Sequence, residues 1–359
     1  MAGGRQGRKT VANDRQKAIL FAVLAAVCYG VSAPFSKFLL NGLSPVFLAA
    51  LLYLGAGIGM GVVLLVGRIA HKESREARIT KKEAPWVLAM VLLDIAAPIL
   101  LLFGLNLTSP GNVSLLNNFE IVATTLIAMV IFKETIGRRM GIAIALITLS
   151  SFILSIEDIG SLSFSPGSLL VILACVCWGL ENNCTRKLSI KDPLEIVFIK
   201  GFGSGTGALI IAAFSGAIRL NLPSILLALL LGFFAYGLSI TFYIRAQRSL
   251  GAARTSAYYA IAPFIGAGLS LIAFRQPLTA PFIAALVIML LGAYFAAAEK
   301  HTHLHTHEAL EHEHRHSHTD AHHSHAHSQP VREHSHPHTH EATEHTHPHT
   351  PDTHHQHSH

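Results

Sequence analysis

The sequence predicts an all-α membrane protein: ten transmembrane helices forming two inverted five-helix repeats, followed by a disordered C-terminal tail. Three observations carry this. Of the 359 residues, 51% are apolar and only 13% are charged, and residues 18–298 form a nearly continuous series of apolar segments, each long enough to cross a ~30 Å hydrocarbon layer as a helix. Short motifs recur between the two halves of that series. Residues 301–359 lose this character and hold 23 of the 24 histidines. A soluble domain of this length carries more charge, and outer-membrane strands alternate with period two, so both classes are excluded.

The spans, numbered 1 to 10 in chain order, cover roughly residues 18–40, 45–67, 85–107, 111–132, 138–156, 167–187, 194–215, 224–246, 253–274 and 279–298. Basic residues orient them. Arg5, Arg8, Lys9, Arg15 and Lys17 precede span 1; Arg68, Lys72, Arg75, Arg78, Lys81 and Lys82 follow span 2. Lys133, Arg138 and Arg139 follow span 4, Arg186, Lys187 and Lys191 follow span 6, and Arg245, Arg248 and Arg254 follow span 8. All fall on one side, the expected cytoplasm. Arg219, Arg275 and Lys37 fall on the other, with Glu157 and Asp158 in its longest turn. Both termini are therefore expected in the cytoplasm and the chain in a prokaryotic inner (plasma) membrane. The net charge of +6 reflects topology rather than nucleic-acid binding.

No cleavable signal peptide is expected, because the first apolar run is long enough to span and another follows at once. Ala25–Cys28 weakly matches a lipoprotein cleavage site, but cutting there would destroy span 1. Cys28, Cys175, Cys177 and Cys184 all lie inside spans, which argues against a disulfide framework.

Residues in span 1, CYGVSAPFSKFLL, align with CWGLENNCTRKLS in span 6, setting Cys28 on Cys177, Tyr29 on Trp178 and Gly30 on Gly179. Gly55, Gly57, Gly59 and Gly61 of span 2 are matched by Gly201, Gly203, Gly205 and Gly207 of span 7. Spans 4 and 9 set Phe132, Lys133 and Glu134 on Phe274, Arg275 and Gln276. The expected units are residues 1–17, a first repeat at 18–156, a second at 157–298 and the tail at 299–359. An odd number of spans per repeat inverts the second copy. Inverted repeats place a site near the midplane and expose it to each side in turn. The glycine run at 201–207 is not a phosphate loop, since no strand precedes it and no Lys-Ser or Lys-Thr closes it. Gly57 with Gly61 and Gly203 with Gly207 are expected to allow close helix packing or sliding.

At these residues the chain resembles the drug/metabolite transporter superfamily, particularly the EamA group of ten-helix permeases. Tyr29-Gly30 with Lys37 seven residues later, Asn117-Asn118-Phe119-Glu120 ahead of Phe132-Lys133-Glu134, and the five-plus-five duplication carry the resemblance over about residues 18–298. One departure is Ile121, where the family often has proline; the second copy has Pro263. The resemblance implies a pocket lined by spans 1–4 and 6–9, with spans 5 and 10 peripheral.

Within that frame, span 4 carries Ser114, Asn117, Glu120 and Thr124 at helical spacing, a polar face that lipid forbids. Glu120 lies ~13 Å into the span. Asp94 lies at similar depth in span 3. Two midplane carboxylates suggest a cation-binding or proton-coupling pair; the plainer alternative is a protonated carboxyl bonded to a neighbouring helix. Glu181 shares one side of span 6 with Trp178, Asn182 and Thr185, and a structural pairing with Arg186 or Lys187 is the alternative. Lys200 is expected to extend its ammonium to the membrane interface. Tyr236, Ser239 and Tyr243 form a stripe on span 8, and Tyr259 and Pro263 mark span 9. These rings line the pocket or simply pack. Cys28 and Cys177 are soft metal ligands or, more plainly, packing residues. Pro98 and Pro263 mark expected kinks.

The tail repeats His-X-His, as at His301, His303, His305, His307, His312, His314, His316 and His318, among Thr, Ser, Pro and eight acidic residues. It has almost nothing apolar and cannot bury a core. Imidazoles at this density bind Zn, Ni, Co or Cu ions, whether or not that is their purpose. The membrane domain requires no cofactor.

These features predict a secondary transporter of a small polar, amino-acid-like metabolite, working as an exporter by alternating access. Glu120 and Asp94 would bind the substrate's cationic part or a coupling proton, and Asn117, Tyr236 and Tyr243 would line the pocket. A divalent-metal transporter with the tail as cytoplasmic buffer or sensor is the second reading. A membrane-anchored metal buffer is the third. No zinc-protease helix motif, nucleophile elbow or nucleotide fingerprint is present, so an enzyme is not expected.

Overall fold

A computed structural model describes residues 3–69, 79–132, 136–158, 163–188, 191–250, 255 and 258–298, with the backbone of 301–307, 310–317, 333–340 and 343–349. The expected loop cations Lys72, Arg75, Arg78, Lys133 and Arg254, the motif residue Glu134, and His318 lie outside the described residues. So do the side chains of Arg186 and the tail histidines.

Among the described residues, nine helices are long and apolar enough to cross a membrane, and Ala262–Phe274 is a shorter apolar helix. Together they occupy the ten predicted spans. Leu92, Val130, Phe214, Leu226, Ile272 and Val287 are exposed, as expected where the outer surface faces lipid rather than water. The turn carrying Glu157 and Asp158 is a short antiparallel ladder of Ile156–Asp158 with Ser163–Phe164.

Four spans depart from a single regular helix, and proline explains two of them. Span 1 is Gly3–Gly30 followed by Ser32–Leu39. The Pro34 ring lacks an N–H and crowds the Gly30 carbonyl four residues back. Span 9 has its break at Ala260–Ile261, with Pro263 in the first turn of Ala262–Phe274. Span 4 breaks at the equivalent place, Asn117–Asn118, without a proline, into Pro110–Leu116 and Phe119–Phe132. The Glu120 and Ile121 amides donate three residues back, to Asn117 O and Asn118 O, at 3.1 and 3.0 Å. The Cys175 thiol approaches the Leu116 carbonyl at 3.6 Å. Span 8 contains a π turn, Phe233–Leu238, between Leu222–Gly232 and Ser239–Leu250.

The repeats are legible as packing. Gly30 lies against Ala262 and Ile265 of span 9, while its mate Gly179 lies against Ala123 and Thr124 of span 4. Spans 2 and 7 pack closely, and a Cβ on Gly201 would come within 2.4 Å of Gly57 Cα. Glycine is required there because two backbones touch. Gly203 and Gly207 face Val91 and Ile95 of span 3. Span 1 packs with spans 8 and 9 and span 2 with span 8; span 3 packs with spans 6 and 7 and span 4 with span 6; spans 5 and 10 pair with each other. The two four-span groups so formed, each with two spans from each repeat, meet where span 2 packs on span 7 and span 4 on span 9.

The tail backbone forms two antiparallel ladders, His301–His307 with Thr343–His349 and Leu310–Ser317 with Glu333–His340. Period-two His-X-His sequence is compatible with extended backbone. Isolated two-stranded ribbons are marginal in water, so these ladders do not supply the tail with a core.

Candidate functional site

The charged groups of the site lie on spans 3, 4, 6 and 7. Asp94 and Glu181 are almost fully buried, with relative exposures of 1% and 2%. Between them is the Lys200 ammonium, 2.9 Å from Glu181 Oε1 and 3.2 Å from Asp94 Oδ2. The interfacial position expected for Lys200 is therefore wrong. Its helix, Pro193–Phe214, turns Ile196, Lys200 and Ser204 toward the same neighbours, since Ile196 packs with Met90 and Ser204 donates to Val91 O at 3.2 Å. The (i, i+4) relation to Ile196 and Ser204 is the sequence signal that would have placed Lys200 inside. Glu181 pairs with Lys200 and also accepts from the Thr185 hydroxyl.

Glu120 has a different environment. Its Oε1 accepts a 2.6 Å hydrogen bond from Asn182 Nδ2, which also reaches Thr124 Oγ1 at 3.2 Å. Asn183 donates to Thr124 O at 3.1 Å. The predicted stripe of span 6 thus divides. Glu181 turns toward spans 3 and 7, while Asn182 turns toward span 4. The continuous polar face predicted for span 4 is likewise interrupted at Asn117–Asn118, and Ser114 satisfies its hydroxyl on Pro110 O at 2.8 Å. Pro98, inside the helix Ala84–Leu107, leaves the backbone carbonyl of Asp94 without its intrahelical donor.

The opposite wall is aromatic and comes from spans 1, 2, 8 and 9. Tyr236, in the π turn, lies 6.2 Å from Tyr29 and 5.3 Å from Tyr53 between ring centroids. Tyr259 lies 5.9 Å from Tyr29 and 5.0 Å from Tyr243. Tyr53 joins the two walls, donating to Asp94 Oδ1 at 3.0 Å. Tyr53 escaped the sequence reading, although it is a lone hydroxyl in an apolar span.

Three buried polar atoms in this region have no hydrogen-bond partner: Asp94 Oδ2, Asn117 Oδ1 and Asn118 Nδ2. The 3.2 Å contact of Asp94 Oδ2 with Lys200 is an ion pair without hydrogen-bond alignment. Among the described residues no group of three or more His, Cys, Asp or Glu is arranged to hold a metal ion.

The chain matches the EamA-like transporter family twice, over residues 16–156 and 165–298. An uncharacterized transporter of Methanothermobacter thermautotrophicus (strain Delta H) is 28% identical over 288 residues, 76% of this chain and 83% of that protein. The uncharacterized transporter YyaM of Bacillus subtilis (strain 168) is 23% identical over 252 residues, 67% of this chain and 81% of that protein. A protein of known crystal structure superposes with a TM-score of 0.57 at 15% identity, covering 78% of this chain and 95% of that one; this likeness concerns the fold. The chain is a multi-pass membrane protein and belongs to the EamA-like transporter family.

Proposed function

We propose that this transporter exports a small polar, amino-acid-like solute by alternating access, with the solute's ammonium on Glu120 and no chemical step. The observation that carries this reading is the pairing of Glu120 with a neutral amide, beside buried polar atoms that lack partners. Each such atom costs roughly 1–3 kcal/mol if left bare, so a polar ligand or water is favoured there. The carboxylate and the faces of Tyr29, Tyr236 and Tyr259 together suit an ammonium group. A proton on Glu120 would serve as the coupling ion when the solute is absent.

The two repeats, 18–156 and 157–298, would supply the symmetry, and the four-span groups they jointly form would be the moving bodies. The basic loops support cytoplasmic termini in a plasma membrane. The tail would be an accessory that binds Zn, Ni, Co or Cu ions in the cytoplasm. Metal as cargo has less support, since the described membrane residues offer no metal-holding cluster.

The test is flux through the full chain in liposomes of known orientation, with labelled amino acids set against zinc, nickel and cobalt, for wild type and Glu120→Gln. Amino-acid flux lost in Glu120→Gln is the expected result. Metal flux lost in that variant, without amino-acid flux, would refute the reading.

A further inference from the structure

Two buried carboxylates, Asp94 and Glu181, share one lysine, and the third carboxylate of the site, Glu120, does not. Lys200 touches Asp94 and Glu181, whereas the hydrogen bond to Glu120 comes from the neutral Asn182 amide. Asp94, Glu181, Lys200 and Glu120 all lie in the group made of spans 3, 4, 6 and 7. A lysine in the same group as its carboxylates travels with them when the other group moves. It is a resident cation rather than a latch between the two groups.

A lysine side chain ends in the group that a primary amine presents: an ammonium with three donors on an alkyl stem. The space between Asp94 and Glu181 is thus an ammonium position already filled from within the chain. We propose that Lys200 is a specificity-determining residue that fills one of two ammonium positions, restricting the site to solutes bearing one cationic group. This rests on the reading that Glu120 holds the solute's ammonium. Removing the lysine by truncation would leave two anionic positions, which suit a terminal diamine. The methionine variant would leave the charge unpaired while filling the volume.

The experiment is chemical rescue on the full chain in detergent and in liposomes. Lys200→Ala is expected to unfold at lower temperature than wild type, because breaking a buried pair orphans its carboxylates. Ethylammonium chloride should raise its unfolding temperature by a few degrees through binding to the folded state. The rise should exceed that of wild type and of Lys200→Met, in which Glu120 alone can take the added ammonium, with sodium chloride as the ionic control. Putrescine should bind Lys200→Ala roughly tenfold or more tighter than it binds wild type, and Glu120→Gln in that background should remove this gain while ethylammonium rescue persists.

If Lys200→Ala yields no folded protein, Lys200→Ala with Asp94→Asn keeps one carboxylate for ethylammonium and serves in its place. Equal responses of the alanine and methionine variants, or no response to ethylammonium, would overturn the role of Lys200. Ethylammonium rescue together with putrescine binding indifferent to Glu120→Gln would instead overturn the Glu120 reading, leaving the pairing of Lys200 intact.

Discussion

Asn182 of span 6 donates a 2.6 Å hydrogen bond to Glu120 of span 4, tying the broken helix of one repeat to the continuous helix of the other. Span 1, the mate of span 6 in the duplication, is broken where span 6 is not, and carries Ala33 at the position of Asn182. The candidate site is therefore asymmetric within a symmetric frame, and Glu120 is its centre.

Breaking this tie should separate stability from transport. Asn182→Ala is expected to lower stability by about 1.5–3 kcal/mol, the range for a hydrogen bond to a charged group. Glu120→Gln with Asn182→Asp restores a donor opposite an acceptor but moves the charge to span 6. Thermal unfolding should recover in the double variant while amino-acid flux does not. Recovery of both would show that the location of the charge is immaterial.

The crossing of spans 2 and 7 should be intolerant of side chains. A Cβ on Gly201 would lie 2.3 Å from Gly57 N, with backbone on both sides and no side chain to yield. Gly201→Val is expected to cost about 1–3 kcal/mol or more. Gly141, in the helix Arg138–Ser155, has nothing within 4 Å of its Cβ position. Gly141→Ala should be neutral or stabilising by up to ~1 kcal/mol. Unfolding temperatures of the two variants in one detergent make the comparison.

Lys37 has a different task from the lysine of the site. Its ammonium lies 2.5 Å from Leu105 O and 3.3 Å from both Asn106 O and Thr108 O, at the C-terminal end of the helix Ala84–Leu107. A cation there satisfies carbonyls that lack intrahelical donors and opposes the helix dipole. Lys37→Met should cost about 1 kcal/mol. Faster amide hydrogen exchange confined to the end of span 3 and the tip of span 1 is the expected signature. An unchanged exchange pattern would remove this role.

Deleting residues 299–359 should abolish high-capacity zinc or nickel binding, measured by titration calorimetry, while leaving amino-acid flux within about threefold of wild type, since the tail has too few apolar residues to pack extensively on the spans. Flux that vanishes with the tail would make it part of the transport cycle.

Hydropathy and repetition placed the spans and the duplication, because lipid imposes its requirement residue by residue and twenty apolar positions in a row leave few alternatives. The breaks were partly legible. Pro34 and Pro263 announce two of them, but span 4 breaks beside Ile121, where no backbone restriction marks the place. Nor does depth along a helix say which way a side chain points. Lys200 is close enough to one end of its span to reach the interface, and the packing of span 7 on span 3 is what turns it between Asp94 and Glu181. The separation of charges on one four-span group from tyrosines on the other has the same origin. By itself the sequence determined which chemical groups enter the membrane and at what depth, through local hydrophobicity. Tertiary structure decided which of them neutralise one another and which remain for a solute, since those pairings depend on helix neighbours far apart in the chain.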